Sequence, residues 1–267
     1  MRIPFVKMHG AGNDFVMVDD REGPHPWDAR LVAAVAPRGT GIGCEGVILV
    51  QTSDRADFRM RFFNPDGSEA DLCGNGARCV AAFAREIGAA KSDRMTFETR
   101  AGDISAELMS PGLVKVGMPD PKDVRRDFAD TGVPHAIVAV DDLDAVDVDG
   151  EGRRIRFSPE YAPNGANVDF VRYDPPGRIS MRTYERGVEA ETGACGTGAV
   201  AAAVVGVAWR SMRFPVHVST ARGYELAVDG EYDGERFRSV TLAGPVARVY
   251  EGFIETANYK TQGGLEK

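Results

Sequence analysis

The chain has 267 residues and a formal net charge of −8 at pH 7, with 43% hydrophobic and 27% charged residues. This acidic balance argues against a nucleic-acid partner, and no run of basic residues indicates binding to a membrane surface. Residues 1–7 lack the apolar core of a signal peptide, and four scattered cysteines do not resemble a disulfide framework. We therefore expect a cytoplasmic globular protein with room for two domains.

The first half of the chain alternates apolar runs with turn residues, a pattern typical of short strands. A helix is predicted over residues 28–36, because Asp28 is a suitable N-cap residue. Residues 37–43 are rich in glycine but lack the Lys-Ser/Thr ending of a P-loop, so they indicate no nucleotide site. Residues 9–14 and 64–67 have the composition of a loop and a turn. The predicted strands are residues 5–8, 15–19, 47–50, 58–63, 95–99, 104–108 and 113–116.

The second half follows the same plan after residues 117–122, a Pro- and Gly-rich segment that is the best candidate for a linker. Residues 163–167 form another predicted loop, and the polar residues 258–267 at the end are expected to be mobile. The predicted strands are residues 136–140, 168–172, 179–184, 216–219, 225–228, 239–243 and 246–254, the last of which is expected to return to the first domain.

Two segments share the motif Cys-Gly-x-Gly-Ala before an alanine-rich apolar stretch, one starting at Cys73 and the other at Cys195. Residues 198–209 are apolar on every side, which predicts a helix surrounded by protein. A thiol at a helix N-terminus meets the positive end of the helix dipole and unpaired amides, and both favour the thiolate. Most intracellular cysteines are small buried hydrophobes, so it is the repetition that indicates reactive thiols.

The spacing of 122 residues between the two cysteines recurs elsewhere in the chain. It aligns residues 16–20 with 138–142, Pro37 with Pro159, and Asn13 with His135. The chain therefore reads as two copies of one domain.

The predicted boundaries are residues 1–117, with 252–267 returning to that domain, and residues 118–251. The expected fold class is mixed α+β. We expect each domain to be a curved, barrel-like mixed or antiparallel sheet around a central apolar helix, and Cys73 and Cys195 to face each other across a cleft.

Taken together, these motifs resemble the diaminopimelate epimerase family over nearly the whole chain. The residues that carry the resemblance are Lys7-Met8-His9-Gly10-x-Gly12-Asn13-Asp14-Phe15, Phe63-Asn64-x-Asp66-Gly67-Ser68-Glu69, Cys73-Gly74-Asn75-Gly76-Ala77-Arg78, Pro134-His135, Tyr184-Glu185-Arg186-Gly187 and Glu191-Thr192-x-Ala194-Cys195-Gly196-Thr197-Gly198. The resemblance implies an isomerase without cofactor or metal that interconverts LL- and meso-2,6-diaminopimelate in lysine and peptidoglycan precursor biosynthesis. It also implies two pseudo-symmetric domains and a homodimer.

The resemblance assigns Cys73 and Cys195 as the acid and base of a two-thiol mechanism, one for each face of the α-carbon. It gives supporting roles to His135 and Glu185. The implied substrate contacts are Asn13, Asn64, Gly74, Asn75, Asn167, Glu185, Arg186, Gly196 and Thr197. On sequence alone, a backbone role for Asn13 and Asn64, a structural role for His135 and a solvated Glu185–Arg186 surface pair stay open.

The chain departs from the family pattern at two positions. Many members carry Asn before the Pro-His pair, where this chain has Val133, and Gln where it has Gly46. These departures put the recognition of the distal end of the substrate in doubt. The remaining cysteines, Cys44 and Cys79, are expected to be structural.

Other functions remain as alternatives. A related racemase or epimerase with two thiols could act on another amino acid, although Arg186 argues for a second carboxylate. A phenazine-pathway isomerase would share the fold but would not need both cysteines. A non-catalytic binding protein could instead use Cys73 and Cys195 as a redox switch, without exchange of an α-hydrogen.

Overall fold

The structure is a computed structural model that describes residues 1–23 and 27–260. The chain separates into two compact units, of which unit 1 comprises residues 1–116 and the chain from residue 246 onward, and unit 2 comprises residues 117–245. Among the described residues, no helix has the length and apolar character needed to cross a bilayer.

Strands outnumber helices in both halves of the chain. The first half contains β1 (Arg2–Gly10), β2 (Asn13–Asp19), α1 (Ala29–Val35), β3 (Val47–Gln51), β4 (Phe58–Phe63), β5 (Glu69–Ala70), α2 (Gly74–Glu86), β6 (Arg94–Thr99), β7 (Gly102–Ser110) and β8 (Leu113–Gly117). The second half contains β9 (Lys122–Arg125), β10 (Phe128–Asp130), β11 (Pro134–Ala139), α3 (Val148–Arg156), β12 (Asn167–Asp174), β13 (Arg178–Glu185), β14 (Ala190–Thr192), α4 (Gly196–Trp209), β15 (Val216–Ser219), β16 (Glu225–Tyr232), β17 (Phe237–Glu255) and α5 (Ala257–Lys260).

Unit 1 is a curved mixed sheet around helix α2. Strands β1 and β2 form an antiparallel hairpin, and α1 connects β2 to its parallel neighbour β3. Strand β4 then pairs antiparallel with β3 and parallel with β6, and β7 and β8 follow as antiparallel neighbours. Because α2 contacts β1, β2, β3, β4 and β7, the sheet wraps around this helix.

Unit 2 repeats the same order of strands and the same directions. Strands β10 and β11 are antiparallel, and α3 connects β11 to its parallel neighbour β12. Strand β13 pairs antiparallel with β12 and parallel with β15, and β16 and β17 follow as antiparallel neighbours. Helix α4 contacts β9, β10, β11, β12, β13, β15 and β16, so this sheet also wraps around its helix. The mixed α+β class, with two copies of one plan, is confirmed.

Helix α4 is buried because its sequence is apolar all round, whereas α2 also contains Arg78, Arg85 and Glu86. Every residue of α4 from Gly198 to Gly206 is buried, as the sequence predicts, and only the end at Trp209 reaches solvent. The predicted N-cap of α1 is also confirmed, since a side-chain oxygen of Asp28 accepts a hydrogen bond from the amide of Leu31 at 2.8 Å. The predicted strands all occur, with ends shifted by a few residues.

Some elements differ from the prediction. Helix α3 was not predicted because its sequence is highly charged, and it buries only Val148 and Gly152. The short strands β5, β9, β10 and β14 were also missed. The loop predicted at 9–14 shrinks to a turn at Ala11 and Gly12, where both residues have positive φ angles.

The C-terminal segment also differs from the prediction. The strands predicted at 239–243 and 246–254 are one strand, β17, which pairs with β16 up to Ala243 and with β1 from Val246. Pro245 lies between these two pairings, which explains why it does not end the strand. The start of the tail predicted to be mobile is a helical turn, α5, and residues 261–267 lie outside the described residues.

Candidate active site

Cys73 is the N-cap residue of helix α2 in unit 1. Its backbone is extended, and the residues that follow, Gly74 to Gly76, form the first turn of the helix. This turn lies against the end of β1, because a Cβ atom added at Gly10 would come within 2.8 Å of the carbonyl oxygen of Asn75. The half-buried thiol of Cys73 therefore stands at the positive end of the helix dipole, where a thiolate is stabilised.

Arg78, one turn into α2, is the largest fully buried side chain of the described residues. Its guanidinium turns back to the start of the helix, where it donates to the side-chain oxygen of Asn75 at 2.7 Å and to the carbonyl of Gly74 at 3.4 Å. No carboxylate within the described parts of the chain pairs with it. Burial lowers the pKa of Arg78, while the thiols of Cys79 and Cys73 act in the opposite sense. Unit 1 therefore holds a buried cation close to its candidate thiol.

Cys195 is the N-cap residue of helix α4 in unit 2. Its sulfur accepts a hydrogen bond from the amide of Gly198 and lies 3.4 Å from the hydroxyl oxygen of Thr197. Burial raises the pKa of the Cys195 thiol well above its ordinary value, and the negative charges of Glu185 and Asp169 act in the same direction. The two hydrogen bonds lower it and offset part of this effect.

A chain of hydrogen bonds extends from Cys195 into the interior of unit 2. The hydroxyl of Thr197 lies 3.0 Å from Nε2 of His135, and Nδ1 of His135 lies 2.7 Å from a carboxylate oxygen of Asp169. Thr183 donates to the other oxygen of Asp169 at 2.7 Å. His135 and Asp169 are fully buried. The imidazole is therefore held between an anion and a hydroxyl that contacts the candidate thiol.

The role of Asp169 was missed in the sequence, although a signal was present. Asp169 stands between Val168 and Phe170 in an apolar strand, and a buried carboxylate is costly unless it is paired. Helix α4 packs directly on it, because a Cβ atom added at Gly198 would lie 2.5 Å from a carboxylate oxygen of Asp169. The glycine at position 198 thus allows the helix to approach the carboxylate.

The predicted residues Asn167, Glu185 and Arg186 lie beside this chain of hydrogen bonds. Asn167 donates to the carbonyl of Pro134, contacts Nε2 of His135 at 3.4 Å, and accepts from the amide of Arg186 at 2.8 Å. Glu185, at the end of β13, is close enough to raise the pKa of Cys195. The half-buried guanidinium of Arg186 has no hydrogen-bond or ion-pair partner among the described residues. Unit 2 therefore brings its predicted residues together around one thiol.

The two asparagines of unit 1 differ in their surroundings. Asn13 starts β2 opposite Gly10, and its side-chain oxygen is buried with no hydrogen-bond partner in the described chain. Asn64 lies in the turn after β4, where its amide group donates to the hydroxyl of Ser68 at 3.1 Å. The side chain of Asn64 therefore stabilises a turn, whereas the side-chain oxygen of Asn13 accepts no hydrogen bond from the described residues.

The two departures from the family pattern have simple structural settings. At Gly46, an added Cβ atom would lie 2.4 Å from the ring of Phe62 and 2.9 Å from the carbonyl oxygen of Phe63, so a longer side chain would have to displace a buried ring. Val133 lies in the turn between β10 and β11, where its carbonyl accepts from the amide of Thr131.

Within residues 1–23 and 27–260, no three His, Cys, Asp or Glu side chains form a group that could hold a metal ion.

The buried thiols of Cys44 and Cys79 point to a measurable dependence of stability on pH. Burial raises the pKa of Cys79 to about 12 and also raises that of Cys44. The unfolded chain ionises these thiols near their ordinary pKa of about 8.5, whereas the folded chain keeps them neutral. The free energy of unfolding is therefore expected to fall as pH rises from about 8.5 towards 12.

Denaturant unfolding of the native protein and of Cys79→Ala, measured at several pH values in this range, tests this expectation. The variant should lose less stability with rising pH, by about 1.4 kcal/mol for each pH unit. Parallel curves for the two proteins would show that Cys79 ionises normally in the folded state.

Solved structures place the fold in a known class. A phenazine biosynthesis protein of the PhzF family from Bacillus anthracis superposes with a TM-score of 0.74, at 18% identity, over 95% of this chain and 99% of that chain. A hydroxyproline epimerase from Agrobacterium vitis gives a TM-score of 0.68, also at 18% identity, over 95% of this chain and 91% of that chain. The protein therefore shares the fold of these two structures.

Sequence comparison narrows the class to one family. A family model described as diaminopimelate epimerase matches residues 5–124 and 128–248. The diaminopimelate epimerase of Aquifex aeolicus is 41% identical over 93% of this chain and 96% of its own length, and that of Chlorobaculum tepidum is 41% identical over 92% and 99%. The chain belongs to the diaminopimelate epimerase family.

Proposed function

We propose that this protein is a diaminopimelate epimerase that interconverts the LL and meso forms of 2,6-diaminopimelate without a cofactor. One observation supports a mechanism with two thiols. Each unit has a cysteine as the N-cap residue of its buried central helix, Cys73 on α2 and Cys195 on α4. Membership in the family supplies the substrate.

Inversion of an α-carbon requires removal of its hydrogen from one face and delivery of a hydrogen to the other. In the proposed reaction, one thiolate takes the hydrogen while the other cysteine, as a thiol, supplies one. The two sulfurs exchange protonation states in each turnover. Acid–base assistance of this kind contributes about 10²–10⁴-fold to a rate. A further contribution is needed, because the α-hydrogen of an amino acid is only weakly acidic.

The starts of the two central helices are suited to supply that contribution. The first turns of α2 and α4 begin at Gly74 and Gly196, and the amides at a helix N-terminus form a site where an α-carboxylate can bind. As the α-carbon loses its proton, negative charge spreads onto this carboxylate. Fixed amide donors then bind it more strongly in the transition state than in the ground state.

The distal end of the substrate carries a second ammonium and a second carboxylate. The guanidinium of Arg186, which has no partner among the described residues, can bind the carboxylate with two parallel hydrogen bonds. The unused oxygen of Asn13 and the carboxylate of Glu185 are acceptors for ammonium groups. This arrangement favours a dicarboxylate over the monocarboxylic amino acids of related racemases.

An assay that compares two substrates tests the function. L-lysine equals LL-diaminopimelate without the distal carboxylate, so it is a matched control for distal recognition. Purified protein with chelator and a carbonyl reagent is expected to epimerise LL-diaminopimelate and to racemise L-lysine at least about 10²-fold less efficiently, since losing a charged hydrogen-bonded pair costs about 3 kcal/mol. Comparable rates would favour a racemase of broader specificity, and no exchange of the α-hydrogen would favour a redox-switch protein.

We also include a homodimer in this proposal, on the basis of the family resemblance, and a cytoplasmic location, on the basis of the four scattered cysteines. Light scattering of the purified protein should give a mass near 58 kDa, about twice the 28.8 kDa of one chain. A mass of one chain at micromolar concentration would remove the dimer from the proposal.

A further inference from the structure

The hydrogen-bonded chain behind Cys195 has a definite direction. An ionised carboxylate can only accept, so the contact of 2.7 Å between Asp169 and His135 places a proton on Nδ1 of the imidazole. Nε2 is then an acceptor in the neutral ring. Nε2 accepts a hydrogen bond from the hydroxyl of Thr197 at 3.0 Å, and the side-chain amide of Asn167 lies 3.4 Å from the same nitrogen.

With its proton directed towards His135, the oxygen of Thr197 is left to accept from the thiol of Cys195 at 3.4 Å. The protons of Cys195, Thr197 and His135 therefore all point in one direction, from the sulfur towards the carboxylate of Asp169. A buried thiol that must lose a proton has little access to water, since Cys195 is only 8% exposed.

We propose that Asp169, His135 and Thr197 form a proton path by which the thiol of Cys195 is ionised and reprotonated, with Asp169 as a positioning residue for His135. This inference rests on the proposed function for its role in turnover. In the forward step, the S–H bond of Cys195 breaks as its proton moves to the oxygen of Thr197. The O–H bond of Thr197 breaks as its proton moves to Nε2 of His135.

The products of this step are a thiolate and an imidazolium, and Thr197 keeps its hydroxyl. The carboxylate of Asp169 stabilises the imidazolium, and the hydroxyl of Thr197 and the amide of Gly198 donate to the thiolate. The reverse step restores the thiol. An imidazole suits this exchange because one of its ring nitrogens can accept a proton while the other donates to a carboxylate.

The surroundings contain few other charges. Glu185 is the other ionisable group that raises the pKa of Cys195. The half-buried Asp130 of β10 accepts from the amide of Gly132, and Tyr173 of β12 donates to the carbonyl of Ala202. Arg182 of β13 pairs with Glu191, and Tyr184 of β13 donates to Glu189. The remaining ionisable side chains on strands packed against α4 are exposed, namely Lys122, Asp123, Arg125, Arg172, Asp174, Arg178, His217, Glu225, Asp229, Glu231 and Tyr232.

The replacement Asp169→Asn distinguishes two explanations for the role of Asp169, namely support of the proton path and a direct charge effect on Cys195. If Asp169 acts only through its charge, its removal should make Cys195 easier to ionise, because a nearby anion disfavours a thiolate. If Asp169 supports the proton path, its removal weakens the basicity of His135, and Cys195 should become harder to ionise. The two accounts therefore predict changes of opposite sign.

The measurement is the rate of alkylation of Cys195 by iodoacetamide as a function of pH, read by peptide mass spectrometry without substrate. We expect Asp169→Asn to slow the alkylation of Cys195 at pH 7 by about tenfold, or one pKa unit. Alkylation of Cys73 in the same sample is the internal reference. The matched control Asp130→Asn removes another carboxylate of unit 2 and should leave the rate unchanged. Alkylation of Cys195 that is unchanged or faster in Asp169→Asn would overturn the proposal.

A second measurement needs no variant, in case Asp169→Asn does not fold. Long-range nitrogen–proton NMR spectra of the native protein report which nitrogen of each of the four histidines carries the proton. We expect His135 to be protonated at Nδ1 at neutral pH, and a proton on Nε2 alone would overturn the path. Because both measurements use free protein, they can succeed or fail independently of the epimerase assay.

Discussion

Replacing either Cys73 or Cys195 by alanine is expected to reduce epimerisation by at least about 10²–10⁴-fold, because each thiol is the only acid or base for its face of the α-carbon. The measurement is the conversion of LL- to meso-diaminopimelate, followed in heavy water. The native enzyme should deliver a deuteron from the second thiol, so the early product carries deuterium at the inverted carbon while unreacted substrate stays largely protiated.

The matched control is Cys44→Ala, which removes a buried thiol outside the candidate site. It should retain nearly full activity and the same pattern of labelling. Each alanine variant can still exchange the α-hydrogen through its surviving thiol, but without inversion. Early product that keeps the hydrogen of the substrate would rule out two bases, as would an active variant at either cysteine.

Replacing Arg186 by methionine is expected to lower kcat/KM for LL-diaminopimelate by about 10- to 150-fold, with little change in the fold. The guanidinium has no partner among the described residues, so its removal leaves no carboxylate unpaired in the free protein. The loss comes from the distal carboxylate of the substrate, since a hydrogen-bonded charge pair contributes about 1.5–3 kcal/mol. The measurement is steady-state kinetics with LL-diaminopimelate and L-lysine.

Because L-lysine lacks the distal carboxylate, Arg186→Met should not reduce whatever rate this substrate shows. Arg178→Met is the matched control at the opposite end of β13, since Arg178 forms an exposed ion pair with Glu225 at 3.3 Å. Exposed pairs contribute little, so this variant should behave like the native protein. Equal losses with both substrates would assign Arg186 to the structure of the unit and not to substrate recognition.

The two units share one plan of strands but differ in the charges near their thiols. In unit 1, the buried cation Arg78 lies at the start of the helix that follows Cys73. In unit 2, the anions Asp169 and Glu185 act on Cys195. Duplication thus preserved the position of the thiol at the helix N-terminus, while the surrounding side chains diverged. A mechanism in which one sulfur is ionised while the other is protonated is compatible with such a difference.

The sequence by itself determined the features that depend on neighbouring residues. The apolar run at 198–209 indicates a helix without a polar face, and Asp28 marks a helix start, because both signals lie within a few residues of the structure they specify. The repeated Cys-Gly-x-Gly-Ala motif indicates the duplication and both candidate thiols. Helix α3 escaped prediction because it buries little apolar surface and its residues are mostly charged.

Only the tertiary structure decided which side chains meet around Cys195. His135 lies 34 residues before Asp169 and 62 before Thr197 in the chain. The parallel pairing of β11 with β12 brings His135 beside Asn167, and the packing of Gly198 on Asp169 brings helix α4 to the same place. Such contacts depend on the register of strands and on close packing between distant segments, which no local pattern specifies. The role of Asp169 therefore became visible only once the strands and the helix were placed together.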